Sequence, residues 1–284
     1  MDFWVLQTLN GLSFGMLLFL LAAGLSLTLG LMNIVNLAHG SYYLLGAYLG
    51  LTVFQRTGNF VLAVIGAAVC MGILGILMQL FLLRYLQKLH LAQVLLTIGC
   101  VFILGDLSLV AWGGSPQAIP KPPPFNSSIA VGDAVFPSYR LLVIAIGVVV
   151  ALLLWLLQER TIMGASVRAA VDNEEMAGST GINVARLMTV VFGLGAALAA
   201  ISGVLGGASM SIYQGADMDV LLLALVVVIL GGMGSLKGAF VAALLVGLLD
   251  NFGKAMFPEI SQFTIFAPMA IMLAVRPTGL FGRA

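Results

Sequence analysis

The residues able to do chemistry in this chain fall in three polar clusters. The first, residues 33–41, places Asn33, Asn36, His39 and Gly40 in succession before apolar sequence resumes at Tyr42. His39 could contact a substrate or carry a proton, but a histidine at a helix start also serves as a structural polar group, and the residue pattern leaves both open. Asn33 and Asn36 fit either helix capping or substrate contact. Tyr42, beside Tyr43, could line an apolar cavity or simply pack. The second cluster, residues 213–219, carries Asp217 and Asp219 where a carboxylate favours a helix N-terminus electrostatically, and Asp217 joins His39 as a pathway candidate.

The third cluster, residues 158–186, is the longest polar run. It holds Glu159, Arg160, Arg168, Asp172, Glu174, Glu175 and Arg186, seven of the 23 charged residues, so it must face water. Val167, Ala170, Val171 and Ala177 give residues 165–178 a weakly apolar helical face. Gly181 suits a helix stop, and Asn183 can cap a following helix. A mixture of small apolar residues and charges suits docking onto a partner, while a plain solvated loop stays open.

Enzyme chemistry finds no support. No His, Cys or acidic set has metal-ligand spacing, no Ser-His-Asp set is suggested by position, and the Gly-x-x-x-x-Gly-Lys-Ser/Thr phosphate loop is absent. No catalytic residue, metal or cofactor is therefore expected in this chain.

The surrounding elements are membrane spans. Over 284 residues the chain is 61% hydrophobic and 8% charged, with a mean hydropathy of +1.14, far from a soluble domain. Apolar runs near the ~20 residues needed to span a bilayer recur, whereas barrel-like alternation does not. The expected fold is all-α, one polytopic transmembrane domain over residues 1–284 with about eight to nine spans. A net charge of +1 offers no surface for nucleic acid, and Cys70 and Cys100, both within apolar runs, read as reduced packing residues.

Residues 113–139 contain six of the nine prolines, so neither a spanning helix nor a buried strand is expected there. Gly11 and Gly15 on the first span, and Gly195, Ala199, Gly203 and Gly207 on a later one, form small-residue faces for close helix approach. Asp106 and Asp250 lie near or within apolar spans, where hydration at the span ends is the reading. Arg84, Lys88, Arg160, Arg168, Arg186, Lys237, Arg276 and Arg283 fall on one side of the membrane when the spans are counted, which makes that side cytoplasmic. The Pro-rich loop then faces outward and residues 158–186 face the cytoplasm.

Residues 33–41 and 213–219 share one design: a Gly/Ala-rich helix, a polar break and a fresh helix. They open toward opposite sides, as broken helices in inverted repeats do. Irregular backbone at membrane depth is tolerated only against protein or water, which points such breaks at a substrate route.

Three motifs carry a family resemblance. NLAHGSYYLLGAY (residues 36–48), GASVRAAVDNEEMAGSTGIN (164–183) and VILGGMGSLKGAFVAALL (228–245) resemble the permeases of branched-chain amino acid (Liv-type) ABC importers. Glu175, Met176 and Ala177 followed by Gly181 and Ile182 are similar to the Glu-Ala-Ala loop of importer membrane subunits, with methionine in place of the central alanine. The resemblance implies a multi-pass subunit of the bacterial inner membrane, surrounded by lipid. Its implied partners are a second, homologous permease, two cytoplasmic ATPases that bind ATP and Mg, and an extracytoplasmic substrate-binding protein. It places ATPase coupling on Gly164, Arg168, Glu174, Glu175, Ala177, Gly181, Ile182 and Asn183. Import of urea or short amides is the alternative within the family, and an ATP-independent channel or secondary transporter the alternative outside it.

Overall fold

The computed structural model describes residues 2–32, 36–86, 89–123, 125–131, 134–276 and 278–282. Asn33 lies outside them.

The first helix, α1 (Asp2–Met32), has 31 residues. At about 1.5 Å per residue it exceeds the ~30 Å hydrocarbon thickness. It shares the centre of the bundle with α8 (Val184–Ser209), and both are largely enclosed by the rest of the chain. Small residues permit this, since helices in lipid associate by packing and not by escape from water. Gly24 of α1 meets Gly195 of α8 backbone to backbone, and Ser202 donates to the Leu17 carbonyl at 2.8 Å. Gly11 and Gly15 receive α10 (Leu236–Met256), whose Gly247 lies against both.

Around this pair stand α2 (His39–Thr57), α3 (Phe60–Phe81), α4 (His90–Trp112), α5 (Ser138–Arg160), α9 (Ala216–Gly231) and α11 (Phe263–Val275). Among the described residues, six helices, namely α1, α3, α4, α5, α8 and α10, are long and apolar enough to cross a membrane. The more polar α2 and the shorter α9 and α11 complete an all-α polytopic fold of the expected kind. α3, α4 and α5 leave most of their surface uncovered by the chain.

Two local expectations are revised. Within the Pro-rich stretch, β1 (Ser128–Val131) and β2 (Ala134–Pro137) form an antiparallel hairpin, and Phe136 is fully buried. Five of the six prolines precede residue 125, which leaves the following residues free to donate ladder hydrogen bonds. The loop is also pinned to the second break, where Gln117 and Ile212 exchange backbone hydrogen bonds of 2.9 and 2.6 Å. The single helix expected over residues 165–178 is instead two, α6 (Ile162–Asp172) and α7 (Glu174–Ser179). Asn173 adopts an extended backbone and its side chain accepts from Met176 N–H, which starts a new helix where the first would have continued.

Candidate functional site

The first break does not stay at the membrane surface. His39, the first residue of α2, places Nε2 3.0 Å from the carbonyl of Leu21, eleven residues before the end of α1. Leu21 lies about 16 Å along α1 from its last residue, so the His39 ring reaches well back into the bundle. From the other side, α8 ends at Ser209, the chain turns back, and α9 starts at Ala216.

The two helix starts meet. Ser41 donates to Asp217 Oδ2 at 3.1 Å, and the backbone of Gly40 lies against the Asp217 carbonyl so closely that no Cβ could be accommodated. Asp217 sits in the first turn of α9, where its charge faces the positive end of the helix dipole. Asn36 accepts from Ala38 N–H at 3.1 Å, a local turn that sets up α2. The Tyr42 hydroxyl lies beside Asn36 and donates to Met78 Sδ.

Asn36, His39, Gly40, Tyr42 and Asp217 are thus gathered in one region, and all are buried within the chain. Among the described residues, His39 Nδ1 and the Ser26 hydroxyl have no hydrogen-bond partner. Ser41 escaped the sequence reading because nothing links it to a residue 176 positions away. Outside this region, Tyr213 donates to Asp219 Oδ2 at 2.8 Å. That bond, helped by burial, raises the phenol above its ordinary range.

The coupling candidates form a second assembly between the C-terminal end of α5 and the N-terminal end of α8. Thr161 caps α6 by accepting from Gly164 N–H at 3.1 Å, and Gly164 is pressed against the carbonyls of Leu157 and Gln158. Val167, Ala170 and Ala177 are buried with Leu31, Leu187 and Val191 and anchor α6 and α7 to the bundle, whereas Val171, expected on the same face, is exposed. Full burial of a valine in such a cluster contributes roughly 1.5–3 kcal/mol. Arg168 turns inward, donating to the Gln158 carbonyl and lying 3.7 Å from Glu159. Lys237, at the start of α10, lies 3.3 Å from the same carboxylate.

Glu174, Glu175 and Met176 face outward in the first turn of α7. Gly181 reverses the chain at φ +91°, Ile182 N–H returns to the Ala177 carbonyl at 3.2 Å, and Asn183 caps α8 through Arg186 N–H at 3.0 Å. The contact between Glu159 and Lys237 was not foreseen, since the residues belong to separate helices. Cavities of about 510 and 600 Å³ flank α6. The first is lined by Ile162, Ser166, Gly181 and Arg186, the second by Glu159, Arg168, Asp172 and Lys237. Among the described residues, no group of three or more His, Cys, Asp or Glu could hold a metal ion.

The family described as branched-chain amino acid transport system, permease component, matches residues 7–273. The high-affinity branched-chain amino acid transport system permease protein BraD of Pseudomonas aeruginosa is 27% identical, over 98% of this chain and 95% of its own. The corresponding LivH of Escherichia coli K12 is 27% identical, over 99% and 96%. The fructose import permease protein FrcC of Rhizobium meliloti is 31% identical over 53% of the chain and 43% of its own. Among solved structures, PsaBC from Streptococcus pneumoniae in complex with Fab aligns over 94% of this chain and 89% of its own, with a TM-score of 0.52 and 16% identity. That likeness supports the fold alone.

Proposed function

The chain belongs to the family of permease components of branched-chain amino acid transport systems, and on that premise we propose that it carries branched-chain or other small amino acids across the inner membrane. It is a transport subunit and not an enzyme. Its partners are a second, homologous permease, two cytoplasmic ATPases that bind ATP and Mg, and an extracytoplasmic binding protein that delivers substrate. The observation that carries this reading is the family match along almost the whole chain, including residues 164–183 and their outward-facing Glu174, Glu175 and Met176.

The coupling role falls to α6 and α7. Their apolar side is anchored to α1 and α8, while Glu174, Glu175 and Met176 remain free to contact an ATPase. A push on this pair reaches α5 and α10 through Glu159, which faces both Arg168 and Lys237. Gly40, Ser41 and Asp217 serve the pathway by fixing the two helix starts against each other, while His39 and Tyr42 tie α2 to α1 and α3.

Uptake into proteoliposomes containing the complete importer tests the substrate. With ATP inside and leucine-loaded binding protein outside, leucine accumulates, and urea-loaded binding protein gives no uptake. Uptake of urea and not leucine would assign the chain to the amide-importing branch.

A further inference from the structure

Among α3, α4 and α5, the three long spans that the chain leaves mostly uncovered, the outward faces differ. α3 shows Val61, Ile65, Val69, Ile73 and Phe81, and α5 shows Leu141, Val148, Leu152 and Leu156, all apolar. α4 shows Leu95, Phe102, Ile103 and Val110 and, in the same stripe, Asp106. Residues 95, 99, 103, 106 and 110 recur at spacings of three and four, so they share one side of the helix. The opposite side, Gln93, Thr97, Val101 and Ser108, is the buried one. A Cβ added at Gly99 would meet nothing within 4 Å.

α4 has 23 residues, about 35 Å of helix, and Asp106 lies six residues, about 9 Å, before its end at Trp112. With a hydrocarbon thickness of about 30 Å, a span centred on the bilayer puts the Asp106 carboxylate below the hydrocarbon surface. An ionised residue inside a span faces protein or a water-filled passage, not lipid. The purely apolar faces of α3 and α5 suit lipid; the face of α4 does not.

We propose that this α4 face turns toward the second permease across the translocation route, and that Asp106 receives the ammonium group of the passing amino acid there. The inference rests on the amino acid reading given above. The chemistry is a charge-assisted hydrogen bond from a primary ammonium to a carboxylate, placed near the outer end of α4 and so early in an inward route. The uncrowded Gly99 lets the facing subunit or the substrate approach α4 closely further in.

Two measurements on the complete importer test this. A photo-cross-linking amino acid at position 103 should capture the second permease, and the same group at Leu152 on α5 should not. Loss of one charge-assisted bond makes the expected effect of Asp106→Asn about a tenfold fall in leucine uptake, with unchanged yield of the assembled complex. Asp106→Glu should keep most of the uptake. Capture from position 152 but not from 103 overturns the assignment of the face, and Asp106→Asn uptake equal to wild type overturns the role of the carboxylate. If the wild-type complex takes up no amino acid at all, the substrate reading has failed, and cross-linking still decides the α4 face.

Discussion

Ser41 and Asp217, 176 residues apart, share a 3.1 Å hydrogen bond that ties the start of α2 to the start of α9. Both are buried, so neither group has ready recourse to water. Replacing Asp217 by Ala strands the Ser41 hydroxyl and removes the carboxylate from the α9 N-terminus, at a cost of roughly 1–3 kcal/mol. Thermal unfolding in detergent should show the loss. In a double-mutant cycle with Ser41→Ala, the double variant should lose less than the sum of the singles. Strict additivity would mean that the pair does not act as a unit.

Backbone proximity at the same junction makes a second, sharper test. Gly40→Ala would drive a Cβ into the Asp217 carbonyl, and no flexible side chain is there to yield. Folded protein recovered from membranes should fall severely. Gly178→Ala, on the exposed α7 where an added Cβ meets nothing within 4 Å, should express and melt like the parent.

Gly181 and Glu175 test the proposed coupling role of α7. Gly181 adopts φ +91°, a region that costs an L-residue about 1–2 kcal/mol, so Gly181→Ala should distort the turn from α7 into α8 without emptying the core. Glu175→Gln alters only an exposed charge. In reconstituted importer both should lower substrate moved per ATP hydrolysed while the complex still assembles in part. Unchanged transport in both variants would remove α7 from the coupling route.

Glu159 links α5, α6 and α10 through partly exposed charges, worth about 0–1 kcal/mol per pair and screened by salt. Glu159→Gln should therefore leave the melting temperature almost unchanged. It should speed hydrogen exchange in residues 162–172, and rising salt should produce the same acceleration in the parent.

Much of this was legible in the residues. The apolar runs marked the long spans, the glycine spacings marked which helix faces approach closely, and the two polar breaks marked where helices restart. Depth was not legible: the His39 contact with Leu21 and the Ser41 bond with Asp217 depend on how far each break folds back into the bundle, which no local pattern encodes. The division of α6 from α7 was visible only as Asn173, whose cap competes with helix continuation. The hairpin was hidden because the prolines before residue 125 coloured the reading of the Pro-free residues 125–136.

The most direct test of the account is leucine uptake by proteoliposomes holding this chain, its second permease and the ATPases, with loaded binding protein outside and ATP inside. The account predicts accumulation that stops when the ATPase subunits are left out or when ATP is replaced by a non-hydrolysable analogue. Uptake by this chain alone, without ATPase or ATP, would contradict it.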